Sequence, residues 1–157
     1  MAAKEGATVC AVGRNETALN GLKEQIGCSI IVADLTQDGQ CERVVKEAID
    51  AMSGLTSLVN CAGVLRGGSM DTASLENFMF NFNGNTKTVF EMMQHSIPHL
   101  KEVRNTFMTL ISEYPPIESY FALDISIKLP FFFCLFTTLN MISNRLEKAL
   151  PLLISLP

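Results

Sequence analysis

Leu58-Val59-Asn60-Cys61-Ala62-Gly63 is the stretch on which the reading of this chain turns. A short apolar run suits a buried strand, and it stops at an asparagine followed by small residues. Small side chains there leave the backbone open to close approach by a ligand. In open α/β sheets, ligands sit outside the carboxyl ends of the strands. Working outward, the same layout recurs on the N-terminal side. Thr8-Val9-Cys10-Ala11-Val12 ends at Gly13-Arg14, and Ser29-Ile30-Ile31-Val32 runs into Ala33-Asp34-Leu35-Thr36.

Between these strands the period changes to that of helices. Leu19, Leu22 and Ile26 recur at helical spacing, and Gly27 is expected to end that helix. Val44, Val45, Ala48, Ile49 and Met52 mark a second amphipathic helix, with Gly54 as its stop. A single long helix from about Ser74 to Leu100 is expected next, carrying Phe78, Phe82, Val89, Met92, Met93 and Ile97. The run Ser29–Ala33 is continuously apolar, the pattern of a strand covered on both faces of a parallel sheet. Strand and helix alternating over short links predict right-handed βαβ units in a layered α/β fold.

Asn60-Cys61-Ala62-Gly63 resembles the Asn-(Asn/Cys)-Ala-Gly box of the short-chain dehydrogenase/reductase family. Ala33-Asp34-Leu35-Thr36 before it and Asn85-Thr86-Lys87-Thr88-Val89-Phe90 after it fall in that family's order and spacing. The resemblance spans roughly residues 1–102. It implies an α/β, Rossmann-like three-layer parallel sheet with strand order 3-2-1-4-5-6-7. It also implies an incomplete sheet, with the first strand and the C-terminal strands missing, because Met1–Ala7 resembles the end of the helix after the family's glycine-rich turn. A missing first strand would leave two inner edges unpaired, which favours association.

The same resemblance implies roles for particular residues. Arg14 stands where the family meets the adenosine ribose. Its planar fork suits a 2′-phosphate, which favours NADP(H) over NAD(H); a solvated arginine near a helix start is the alternative. Asp34 stands where the family's aspartate meets the adenine amino edge, with the backbone of Leu35 beside it. Capping a helix N-terminus is a second role for Asp34, and both can hold. Asn60, Ala62 and Gly63 line the adenosine ribose and brace the sheet, while Cys61 is a buried thiol in place of the commoner second asparagine. Asn85 matches the asparagine of the catalytic tetrad, which in relatives helps hold a water in a proton relay, with Asn81 and Asn83 as competing assignments in register. His95 and His99 lie four apart with Pro98 between them and no third ligand nearby. They read as helix-end histidines, and no metal is expected.

Composition bounds the rest. The 157 residues are 48% apolar, enough for one buried core. A net charge of −4 gives no basic surface for nucleic acid. Cys10, Cys28, Cys41, Cys61 and Cys134 form no C-x-x-C pair, which reads as free thiols in a reducing, cytoplasmic setting. Met1–Gly6 has no apolar run of the secretory kind.

A break falls near residue 102. Every glycine lies at or before Gly84, and residues 1–102 carry the whole negative balance. The expected division is a partial Rossmann domain over 1–102 and an apolar tail over 103–157 that forms no well-packed extension of the sheet. Phe107-Met108-Thr109-Leu110-Ile111 has strand character, but no periodic helix follows it. Residues 129–144 are uncharged, yet shorter than the roughly 20 apolar residues of a spanning helix and interrupted by Pro130, Asn140 and Asn144. Glu102-Val103-Arg104 can be encoded with a splice-donor consensus, so intron read-through is one account of the tail.

Two of the family's motifs have no counterpart. No Thr-Gly-x-x-x-Gly-x-Gly turn precedes the first strand. No Tyr-x-x-x-Lys follows, since Tyr114 precedes Glu118 and Tyr120 precedes Asp124 at that spacing. Ser112 falls near the place of a catalytic serine. The expectation is a fragment of an NAD(P)-dependent oxidoreductase for small carbonyl or alcohol substrates, inactive on its own, whose complete form can be a homo-oligomer. The alternatives are a non-catalytic nucleotide-binding or regulatory protein and a membrane-associated fragment using residues 129–144.

Overall fold

The structure, a computed structural model, describes residues 2–69, 71–102, 107–110 and 151–155. After a 3-10 turn (Ala2–Glu5) come β1 (Thr8–Gly13), α1 (Glu16–Ile26), β2 (Ser29–Val32), α2 (Gln40–Met52) and β3 (Ser57–Asn60). α3 (Leu75–Phe82), a π-turn (Asn83–Lys87), α4 (Thr88–Glu102), β4 (Phe107–Leu110) and β5 (Pro151–Ser155) follow. The strands form one parallel sheet in the order β2-β1-β5-β3-β4.

Side-chain alternation along β1 builds the layers. Val9 and Ala11 meet Leu19 and Cys28 in the core beneath α1. Cys10 and Val12 point the other way, into a core with Val44, Val45 and Ala48 of α2, Leu58 of β3, and Met92 and Leu100 of α4. Helices thus cover both faces, and the fold is Rossmann-like. Local chemistry sets the helix ends. Asn15 accepts a hydrogen bond from Ala18 N at 3.0 Å to start α1, and Gly27 closes it at φ 68. α2 stops slightly earlier than its glycine: Ser53 takes the left-handed φ of 57, and Gly54 follows.

Three expectations are corrected. β2 lies at the edge of the sheet, where the order implied by the resemblance puts it, but it is not covered throughout as its apolar run suggested, and Val32 is 43% exposed. The long helix is divided by the π-turn, where the Thr88 N–H reaches back to Asn83 O and the Thr88 hydroxyl donates to Gly84 O at 2.8 Å.

The third correction concerns the tail, two pieces of which belong to the sheet. β4 pairs with β3 from Ser57↔Phe107 to Asn60↔Leu110, in keeping with its strand character. Pro151–Ser155, expected to stay outside, is the middle strand. It pairs with β1 from Thr8↔Pro151 to Val12↔Ser155, and with β3 from Ser57↔Leu152 to Asn60↔Ser155. The inner edges expected to be open are therefore closed by the chain's own C-terminal segment. The reason is backbone chemistry: both edges present unpaired N–H and C=O groups that must find partners when buried. The five-residue run, apolar up to Ser155, satisfies both, with proline at its first position, where strands tolerate it. Leu153 is 0% exposed and joins the core of Val12 and Leu58. Tyr114, Tyr120, Ser112 and residues 129–144 lie outside the described residues. Among the described residues, no helix is long and apolar enough to cross a membrane.

Candidate functional site

The carboxyl ends of β1, β2 and β3 converge on one cleft. It is lined by Gly13 and Arg14 after β1, Ala33–Thr36 after β2, Ala62–Val64 after β3, and Gly84 and Thr88 from the π-turn and α4. The enclosed part is about 30 Å³, room for water and not for an aromatic ring. A larger ligand would therefore lie across the mouth.

Asp34 closes a tight turn and does not cap a helix. Its Oδ1 accepts from Thr36 N at 3.0 Å and from the Thr36 hydroxyl at 2.7 Å, whereas α2 begins only at Gln40 with Gly39 as its cap. The Thr36 hydroxyl, helped by the Thr36 amide, Gln37 and the Arg14 charge, holds the Asp34 carboxyl below the usual carboxylate range. The result is an ionised acceptor beside an exposed arginine. Leu35 is pinned from behind, because its carbonyl accepts from the Cys41 thiol at 3.4 Å. Burial first, and then the Glu91 carboxylate, push that thiol up to about 12, so it stays a protonated donor.

Past Asn60 the chain becomes a strap held by two asparagines. Val64 N donates to Asn85 Oδ1 at 2.8 Å, and Asn85 Nδ2 donates back to Val64 O at 2.8 Å. Asn81 repeats this on Arg66, at 2.8 Å and 2.9 Å. Each amide supplies one acceptor and one donor, as a neighbouring strand would. Close approach is what makes the clamp fit. A Cβ at Gly84 would overlap the Val64 side chain, and one at Gly63 would stand 3.0 Å from Asn85 Oδ1. Arg66 then lies over the Phe80 ring, 3.7 Å from its centroid, and pairs with Glu76 at 3.3 Å. That pair is exposed and adds little.

From the other side, β5 meets the start of the strap. The Ser155 carbonyl accepts from Cys61 N at 3.0 Å, and its hydroxyl lies 3.2 Å from Cys61 N and 3.4 Å from Ala62 N.

The structure thus brings Arg14, Asp34, Leu35, Ala62 and Gly63 to one cleft. Asn60 is not in its wall; it is 3% exposed at the end of β3, and its Nδ2 has no partner among the described residues. Asn85 stands behind the strap, bonded to Val64. Among the described residues, no three His, Cys, Asp or Glu side chains gather as a metal site. Thr36 and Thr88 stood inside the quoted motifs without a role and Asn81 only as a competitor of Asn85, while Gly84 and Ser155 are site residues that the motifs did not single out. Gly84 carried a signal, as a glycine inside a helical pattern. Asn81 carried one too, standing one turn before Asn85. Ser155 carried none.

Residues 1–110 match the short chain dehydrogenase family. The chain belongs to this family of oxidoreductases. It is 31% identical over 120 residues to 3-beta-hydroxysteroid dehydrogenase of Comamonas testosteroni, covering 74% of this chain and 47% of that protein. It is 28% identical over 115 residues to 2,5-dichloro-2,5-cyclohexadiene-1,4-diol dehydrogenase of Sphingobium indicum, covering 70% of this chain and 46% of that protein. The chain therefore spans less than half the length of these relatives. Among solved structures, the closed form of serine dehydrogenase complexed with NADP+ superposes with a TM-score of 0.68 at 21% identity. That match covers 90% of this chain and 58% of the other, and it shows a shared fold.

Proposed function

We propose that this chain carries the adenosine-binding half of an NADP(H)-dependent short-chain oxidoreductase acting on a small carbonyl or alcohol. The observation that supports this is the meeting of Arg14, Asp34 and Gly63, from three different strand ends, at one cleft mouth. The donor set fits a dinucleotide. Ionised Asp34 accepts from the adenine amino group, the Leu35 backbone flanks the ring, and Ala62 and Gly63 leave room for the ribose. Arg14 offers a two-pronged cation to a 2′-phosphate. When bound, the dinucleotide supplies the hydride of the family's carbonyl reduction.

Asn85 has a narrower role than a free side chain would have. Oδ1 and Nδ2 each hold Val64, so a relay water is left the second lone pair of Oδ1 or the second Nδ2 hydrogen. The Tyr-x-x-x-Lys pair that would move the proton is not in the sequence. We read the chain as a fragment that binds the nucleotide without turning substrate over, in a reducing, cytoplasmic setting.

Binding of 2′,5′-ADP and 5′-AMP to the full chain tests this reading. The phosphate-bearing ligand should bind about tenfold more tightly, the worth of one charge-assisted pair. Arg14→Asp should abolish or reverse that preference. Equal affinities in the unaltered chain would overturn the assignment of Arg14.

A further inference from the structure

Ser155 ends β5 with backbone and side chain both turned onto the chain leaving β3. Its hydroxyl receives the N–H groups of Cys61 and Ala62 at 3.2 Å and 3.4 Å, and has Val59 O at 3.4 Å as its own acceptor. A hydroxyl has one donor and two acceptor positions, and this arrangement uses all three. Ser155 is 1% exposed, so water does not compete for these groups. Cys61 and Ala62 are where the sheet hands over to the cleft wall, since Ala62 and Gly63 line the cleft. Asn60, the residue that the motif puts forward for bracing, has an unpartnered Nδ2 among the described residues. Bracing at this corner falls instead to a residue from the far end of the chain.

We propose that docking of the C-terminal strand completes the cleft, with Ser155 as the positioning residue that couples the two. Its hydroxyl fixes the Cys61 and Ala62 N–H groups, and through them the Ala62–Gly63 wall on which the adenosine side of the nucleotide rests. This inference rests on the nucleotide reading given above. Its particular content is that the site is conditional on β5, a strand that comes from the far end of the chain and is seated by backbone ladders with β1 and β3, the buried Leu153 side chain and the Ser155 hydroxyl.

Two full-length variants of similar shape isolate the hydroxyl: Ser155→Thr keeps it and Ser155→Val removes it. Amide hydrogen exchange at Cys61 and Ala62 and affinity for 2′,5′-ADP are measured in both. Ser155→Thr should match the unaltered chain. Ser155→Val should exchange the Ala62 amide about tenfold faster, with a smaller change at Cys61, whose N–H keeps the Ser155 carbonyl, and bind about fivefold more weakly, the scale of one or two hydrogen bonds. The amides of Val12 and Leu58 should stay as protected as before. Equal exchange, or equal affinity, in the two variants would overturn the proposal while leaving the nucleotide reading intact. Absence of 2′,5′-ADP binding by the unaltered chain would overturn both. Should Ser155→Val fail to fold, Ser155→Ala takes its place. Loss of the whole fold in both hydroxyl-free variants, with Ser155→Thr folded, would show a global structural role and overturn the coupling.

Discussion

Strands β1 and β5 lie side by side in the sheet, and Leu153 and Ile154 of β5 pack into the same two cores as β1, yet the strands come to their places in different ways. β1 is the first strand of a local unit. Thr8–Gly13 is buried from Val9 onward, feeds a capped helix, and meets β2 only a helix and a turn later. β5 comes from the far end of the chain and makes two ladders with strands remote in sequence. Its position is dictated by a vacancy, because a parallel sheet with an unfilled middle has twice the unpaired backbone of one with an open edge. The comparison separates two kinds of structural information: pattern carried within a segment, and demand created by the rest of the fold.

The comparison breaks first if β5 is only loosely seated. Leu153 and Leu58 are both 0% exposed in the same core. Leu153→Ala and Leu58→Ala should therefore each cost about 2–5 kcal/mol of unfolding free energy, measured by urea denaturation. A cost below about 1 kcal/mol at Leu153 alone would mean surface-like behaviour. β5 would then be a docked appendage and not a member of the core.

How much was legible follows from the same distinction. α1 and α2 carry their own periodicity and stop residues, and β1, β2 and β3 are short apolar runs spaced between them, so the α/β class could be read directly. Arg14, Asp34, Ala62 and Gly63 follow strand ends, where the fold itself concentrates ligand contacts, so their meeting at one cleft was also readable. Pro151-Leu152-Leu153-Ile154-Ser155 is too short to show a period, and nothing in it names its partners. The π-turn was hidden for another reason. Its register depends on the Thr88 hydroxyl taking the Gly84 carbonyl, and on Val64 pressing against Gly84, a contact that exists only after the strap has folded.

Glycine substitutions sharpen the contrast between local and tertiary information. Gly84→Ala places a methyl into the Val64 side chain, so the strap must move, and about 1–3 kcal/mol should be lost. Gly21, inside α1, has nothing near its Cβ direction, so only helix propensity counts there. Gly21→Ala should raise stability by about 0.5–1 kcal/mol. Thermal unfolding of the two variants tests the pair. Equal and small effects would show that the strap does not press on the π-turn.

The smallest expected effect lies at the edge of the sheet, where Asp34 turns the chain after β2. The folded state lowers its pKa, first through the Thr36 hydroxyl and then through the Thr36 amide, Gln37 and the Arg14 charge. The sign follows from linkage. A carboxyl with a lowered folded value stabilises the protein above its unfolded value, near 3.8, and loses that contribution as pH falls through the folded one. Asp34 is only partly covered, so solvent screening keeps the effect modest. Asp34→Asn should therefore unfold at a slightly lower temperature than the parent at pH 6–7, with the gap shrinking as the solution is acidified below about pH 4. Thr36→Val, which removes the first cause, should show a similar loss of acid dependence although it leaves the carboxyl in place. A gap that persists undiminished at pH 3 would mean that Asp34 acts through shape and not charge. The carboxylate would then have no electrostatic hold on the turn that presents it to the cleft.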